Sequence, residues 1–232
     1  MNGSLVSPAT RQRVRDLATP IARGLGRLGL TPNALTLIGF LGTCVAAYAA
    51  ANQAWVAAGI LVLVFGIFDL FDGALARATG RATKLGAFLD STFDRAGEAI
   101  VYVGIAAGAI AFDAISPVLA VAAAGAAFMV SYTRAKAESL GFSSGTGMAA
   151  VGFAPREVRT LLLGFGLMAT GIAGGAVDCA KVGPDLFRGC IETASSKAGP
   201  AILDGTLALI AALATITAIQ RILHVRAQSR EG

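Results

Sequence analysis

The stretch WVAAGILVLVFGIFDLFDGAL, residues 55–75, decides the fold. Nothing charged precedes Asp69 in it, and the run is as long as the roughly 20 apolar residues a helix needs to cross a bilayer. It then meets two aspartates, Asp69 and Asp72, and a carboxylate at membrane depth costs a few kcal/mol unless something offsets it. Working outward, residues 34–51 form another apolar run, parted from this one by the polar turn Asn52-Gln53. On the far side, residues 86–112 open on Asp90 and Asp94 before turning apolar, and runs at 115–136, 158–176 and 201–223 follow. The pattern predicts an all-α integral membrane protein of six transmembrane helices.

The whole chain agrees. Of its 232 residues 55% are hydrophobic and 14% charged, against about 25% charged in soluble domains, and the mean hydropathy is +0.69. A soluble domain of this size cannot bury so large an apolar majority, and a disordered chain needs the opposite composition. Three cysteines are too few for a disulfide scaffold. No run alternates as the strands of an outer-membrane barrel do, and the polar, basic N-terminus is not a secretory signal peptide.

With six spans both ends fall on one side, together with every one of the 19 Lys and Arg except Lys181, Arg188 and Lys197. The positive-inside rule makes that side cytoplasmic. The net charge of +5 therefore reads as orientation in a lipid bilayer, not as a nucleic-acid surface. The expected location is the cell membrane, multi-pass, with both termini cytoplasmic. Residues 9–28 are too charged to span: Leu17, Ile21, Leu25 and Leu28 recur at helical spacing with Arg15, Arg23 and Arg27 between them. This suits an amphipathic helix lying in the cytoplasmic interface on anionic head groups, or a cytosolic helix packed on the membrane domain. The expected organisation is 1–30 as an N-terminal segment with that helix, 31–226 as the six-helix domain and 227–232 as a tail.

The chemistry gathers at one end of the second and third spans. Asp69 and Asp72 are i,i+3, and Asp90 and Asp94 i,i+4, so each pair shares a face of its helix. A short turn joins the two helices and lets the pairs converge. Such carboxylates are neutralised either by Arg77, Lys84 and Arg95 as structural salt bridges or by divalent cations, for which hard oxygen ligands favour Mg²⁺, Mn²⁺ or Ca²⁺ over zinc.

The pattern Asp69-x-x-Asp72-Gly73-x-x-Ala76-Arg77, eight residues, Gly86-x-x-x-Asp90-x-x-x-Asp94 resembles the signature of the CDP-alcohol phosphotransferase family at every position. Leu30-Thr-Pro-Asn33, leading into the first span, extends the resemblance. It implies that a CDP-linked lipid, usually CDP-diacylglycerol, is attacked at its β-phosphorus by an alcohol and that CMP leaves. It also implies Mg²⁺ or Mn²⁺ as cofactor, with Asp69, Asp72 and Asp90 as ligands and Asp94 as both ligand and general base. Two such ions would neutralise the diphosphate and the departing CMP. A carboxylate beside cations is a weak base, so the part of Asp94 rests on hydrogen-bond reach of the hydroxyl. Gly73 and Ala76 let the nucleotide lie against the helix, or else serve close helix packing. The same resemblance implies that Arg77 would meet phosphate and that Thr79 with Gly80 would line the cytidine site. A homodimer is implied by the same resemblance.

Cations recur at the cytoplasmic ends of the later helices: Arg134 and Lys136, Arg156 and Arg159, and Arg221. If these ends converge they make a second anion pocket, fit for an acceptor bearing a phosphate that guanidinium forks bind bidentately. The positive-inside bias alone would also put arginines there. Segments 131–138, 19–24 and 29–32 resemble the phosphatidylinositol-phosphate synthases of this family, which implies inositol 1-phosphate as the acceptor. The chain departs from them at Ala154-Pro-Arg-Glu-Val-Arg159, leaving either Arg156 or Arg159 as the phosphate ligand. Sister enzymes using glycerol 3-phosphate, CDP-inositol or serine are the alternatives within the family. A cation transporter is the alternative outside it, although such proteins show internal repeats and none is found. Elsewhere, Trp55 reads as a membrane-interface anchor, Cys44 as packing and His224 as an interfacial residue. Cys179 and Cys190 are either bridged or free in a long extracytoplasmic loop, 176–200, and 141–152 is a flap or a passive connector.

Overall fold

The computed structural model describes residues 8–112, 115–142, 151–174 and 198–231. Cys179, Cys190, nearly all of the 176–200 loop and most of 141–152 lie outside the described residues. Among those described, the elements are helices throughout: α1 Pro8–Arg27, α2 Pro32–Ala51, α3 Trp55–Gly66, α4 Phe68–Ala78, α5 Lys84–Phe112, α6 Pro117–Ser139, α7 Arg156–Ile172 and α8 Ala198–Glu231. Among the described residues, four segments are long and apolar enough to cross a membrane: Pro32–Ala51, Trp55–Ala78, Pro117–Ser139 and Ala198–Arg230.

Local chemistry sets the helix ends. Thr31 opens α2, its hydroxyl accepting from the Ala34 amide at 3.2 Å with Pro32 in the first turn, an arrangement that satisfies an amide left over at every helix start. The turn after α2 puts Gln53 at φ 56, and its side chain donates to the Gly108 carbonyl at 3.1 Å, tying the turn to α5. Gly80, at φ +65, supplies the left-handed backbone that the turn between α4 and α5 requires. Thr83 then caps α5, accepting from the Gly86 amide at 2.9 Å.

The sequence reads residues 55–75 as one span, and the structure runs one apolar segment from Trp55 to Ala78; within it Ile67 keeps helical backbone angles while the hydrogen bonding tightens and divides α3 from α4. There the Ile67 amide bonds to the Val64 carbonyl at 3.3 Å and the Leu70 amide to the Ile67 carbonyl at 2.9 Å, the tighter i→i−3 pattern. Gly66 lies so near α7 that a Cβ on it would be 3.0 Å from Thr160 Cγ2, and a glycine is where a helix bends most readily. Asp69 therefore falls in the first turn of a new helix, where the helix dipole favours a negative charge.

In the bundle α2 packs against α3, α4 and α5, α3 against α7, α6 against α5 and α8, and α7 against α8. Small residues make the seams. A Cβ on Gly59 would lie 2.5 Å from the Gly164 carbonyl, and one on Gly108 2.6 Å from that of Ala50, so backbones meet directly, as they do in spanning bundles. The outward faces carry exposed Val118, Val121, Phe128, Leu209 and Ile219, as a lipid-facing surface does. Trp55 departs from its expected role as an interface anchor. It is 1% exposed, because Gly108 and Gly171 leave room for it against α5 and α7. Helix α1 packs on α4, with Ala18 and Ala22 buried among Ala74, Leu75 and Leu35 while Ile21 and Leu28 stay exposed. The last turns of α8 run helical to Glu231, so residues 227–231 extend that helix.

Candidate active site

Three aspartates meet where α4 and α5 begin. Asp69 comes from the first turn of α4 and Asp90 and Asp94 from successive turns of α5, and each offers a carboxylate oxygen within 4.8 Å of the other two. All three are half-buried. Asp72, one turn further along α4, is fully buried and accepts a 2.6 Å hydrogen bond from the Thr36 hydroxyl of α2. Gathering carboxylates out of water is unfavourable unless cations accompany them. An all-oxygen donor set from two rigid helices fits Mg²⁺ or Mn²⁺ by ligand type. Of the three cations named above as structural partners, only Arg95 comes within ion-pair distance of an aspartate among the described residues, its Nη1 standing 3.9 Å from Asp94.

A cation from farther along the chain does reach in. Arg156, the first residue of α7, contacts Asp69 through Nη1, and the same atom lies 2.8 Å from Asp94 Oδ1. Arg159, one turn later, is 1% exposed. Its Nε and Nη2 donate to the two carboxylate oxygens of Glu98, each at 2.8 Å, and its Nη1 donates to the Ala154 carbonyl at 2.8 Å. Of the two arginines the sequence left open, Arg156 is the one at the carboxylates, and Arg159 has its donors engaged.

The other cations divide in the same way. Arg221 is buried and donates to the Val130 carbonyl and, at 3.1 Å, to that of Val151. Thr217 accepts from the Ala154 amide at 3.0 Å, so residues 151–155 are strapped onto α8 before α7 begins. Arg134 pairs with Glu138 at 2.8 Å on an exposed face, and Lys136 is exposed. Through its two carbonyl bonds Arg221 joins α8 to α6 and to the segment that leads into α7. On α4, the Arg77 guanidinium folds over Gly73, where a Cβ would sit 3.3 Å from its Nη1. Ala76 is half-buried, and Thr79 and Gly80 are exposed at the turn, the Thr79 hydroxyl donating to the Leu75 carbonyl at 2.8 Å. Thr36 and Glu98 escaped sequence reasoning. Thr36 lies 36 residues from Asp72, and Glu98 follows the last signature position by one turn, so only its i+4 spacing from Asp94 pointed to it.

Comparison with known proteins bears on this geometry. A family model described as CDP-alcohol phosphatidyltransferase matches residues 29–182. The archaetidylinositol phosphate synthase of Pyrococcus horikoshii is 40% identical over 153 residues, 66% of this chain and 77% of that one. Its namesake in Methanothermobacter thermautotrophicus is 33% identical over 93% of this chain and 91% of its own. Among solved structures, the phosphatidylinositol phosphate synthase of Mycobacterium tuberculosis with CDP-DAG bound aligns at a TM-score of 0.69 and 28% identity. The alignment covers 90% of this chain and 94% of that one. The same enzyme in complex with manganese and citrate aligns at 0.68.

Proposed function

The chain belongs to the CDP-alcohol phosphatidyltransferase family, and from that premise we propose that it transfers the phosphatidyl group of CDP-diacylglycerol to a hydroxyl of inositol 1-phosphate, releasing CMP. It is a metal-dependent enzyme of lipid synthesis in a membrane, which removes the transporter alternative. The observation that carries the choice of acceptor is Arg156 beside Asp94. A phosphorylated alcohol needs a cation for its phosphate and a base for its hydroxyl within one small space, and these two residues supply both.

Asp69, Asp90 and Asp94, the three that converge, with Asp72 beside them, would hold Mg²⁺ or Mn²⁺, which would supply positive charge against the diphosphate and the departing CMP. Asp94 accepts the proton of the attacking hydroxyl while that oxygen forms its bond to the β-phosphorus. The bond from that phosphorus to the CMP oxygen breaks, and CMP leaves with the electron pair. Thr36 fixes the Asp72 carboxylate by its 2.6 Å bond, beside the trio of Asp69, Asp90 and Asp94. The low bulk of Gly73 and Ala76 lets the nucleotide lie along α4, Arg77 meets its phosphates, and Thr79 with Gly80 borders the cytidine. Arg134, Lys136 and Arg156 receive the acceptor's phosphate, while Arg159 and Arg221, tied to protein acceptors, shape the wall behind it.

In this reading α5 and α7 cross the membrane with the four apolar segments, making six spans over 31–226. Helix α1 lies in the interface, both termini and the carboxylates are cytoplasmic, and two copies pair as a homodimer. The charge distribution of the loops supports the orientation. Purified protein in lipid nanodiscs, given CDP-diacylglycerol and a panel of acceptors, tests the proposal by CMP release. Inositol 1-phosphate is expected to be the best acceptor and EDTA to abolish turnover; preference for glycerol 3-phosphate or serine would overturn the acceptor assignment. A second reading, an archaetidyl rather than a phosphatidyl donor, is favoured by the two archaeal relatives and is decided in the same assay by exchanging the CDP-lipid.

A further inference from the structure

On α5, Asp90, Asp94, Glu98 and Tyr102 follow one another at four-residue intervals, so they share one face of the helix. Opposite them α7 brings Arg156 and Arg159, one turn apart. The two helices are thus joined by two rungs. The outer rung is Arg156 with Asp94 and Asp69, partly open, its side chains 23%, 15% and 26% exposed. The inner rung is Arg159 forked onto Glu98, 1% and 11% exposed, with the third donor fixed on the Ala154 carbonyl.

We propose that Glu98 is a positioning residue: by fixing Arg159 it holds the first turn of α7, and through that turn it places the Arg156 guanidinium at Asp69 and Asp94. A bidentate fork permits one orientation of a guanidinium, where a single bond would permit many. One helical turn is rigid enough to pass that constraint on to Arg156. The fork matters because the space beside it is not filled. A cleft lined by Thr43, Gly66, Gly97 and Tyr102 adjoins the pair, and the Tyr102 hydroxyl, in a side chain 2% exposed, has no hydrogen-bond partner. With Glu98 neutralised, Arg159 has room to swing into that cleft and an oxygen there to accept its bond. A buried pair that loses one partner leaves its other charge uncompensated, which frees Arg159 to seek the Tyr102 oxygen. Neither the signature nor the family match assigns Glu98 a role.

This inference rests on the transferase reading for its kinetic test, so the experiment has two arms. In nanodiscs, Glu98→Gln, which keeps the side-chain shape, is expected to lower kcat/KM for inositol 1-phosphate about tenfold, within the range that displaced supporting residues cost. The KM for CDP-diacylglycerol should move less than twofold, and a Mn²⁺ titration followed by electron paramagnetic resonance should show tighter binding, because a displaced Arg156 no longer competes for the Asp69 and Asp94 oxygens. Because Glu98 acts through Arg156, the double variant Glu98→Gln, Arg156→Gln should lose no more than Arg156→Gln alone. Additive losses, full activity in Glu98→Gln, or a loss that follows a fall in thermal midpoint would overturn the proposal. The second arm needs no turnover: amide hydrogen exchange should quicken at residues 156–160 in Glu98→Gln and nowhere else. If the unaltered protein releases no CMP, the transferase reading fails and the exchange arm still decides the role of Glu98; unchanged exchange there rejects it.

Discussion

From Lys84 to Glu98, α5 carries Lys84, Asp90, Asp94, Arg95 and Glu98; from Ala99 to Phe112 it carries no charge. The first stretch meets its neighbours through ion pairs that cross to α7. The second meets them through backbone contact, with Gly104 and Gly108 against α2 and Tyr102 and Ile105 buried in the core. One continuous helix therefore works as an instrument at one end and a mount at the other. Polar groups that bind and react need partners of matching charge, whereas a mount inside a bilayer needs close approach and small residues. The difference implies that chemistry and support can be damaged separately.

The largest effect expected is at the reacting end. Asp94→Asn should cut CMP release about a thousandfold, as loss of a positioned base and ligand does, without lowering the thermal midpoint in detergent; an unfolded variant would show that the two halves are not separable. At the mounting end, Gly108→Leu forces a side chain to within 2.6 Å of the Ala50 carbonyl and 3.3 Å of Trp55. Overpacking of this kind costs about 1–3 kcal/mol or more, so the midpoint should fall by several degrees while the surviving enzyme keeps its acceptor KM. A changed KM would mean that strain at the mount reaches the site. Thr36→Val should weaken Mn²⁺ binding about tenfold with the fold intact, which locates the boundary between the two regimes on α2. Least affected should be Arg134→Ala, whose exposed partner Glu138 is worth little. It should raise the acceptor KM a few-fold, an effect that fades in salt.

The sequence made much of this visible because the two signals are strong in different ways. Bilayer thickness forces long apolar runs, so the helices at 32–51 and 117–139 are legible within three residues, whereas α8 continues to Glu231, well past the apolar run that ends at 223. The carboxylates stand out because nothing in a spanning helix explains them. Legibility ended where a property depended on contact between distant residues. The break at Ile67 lies inside an unbroken hydropathy run, and only the approach of Thr160 to Gly66 marks it. Trp55 stands at a helix start, where sequence cannot tell a head-group anchor from a side chain seated against Gly108. The two arginines 156 and 159 are alike in sequence and fare differently because Glu98 faces one and Asp94 the other.

The joint at Ile67 has one further consequence. Bilayers differ in thickness, and a spanning helix answers by tilting. With the hydrogen bonding retightened at Ile67, a tilt of α3 arrives at Asp69 and Asp72 through that elbow, while α1 and α2 keep their grip on α4. Turnover in vesicles of short and long acyl chains should accordingly vary less in this protein than in a Gly66→Ala variant, in which the elbow is stiffened. The enzyme's output would then stay steady while the lipid it helps to make changes the thickness of the sheet around it.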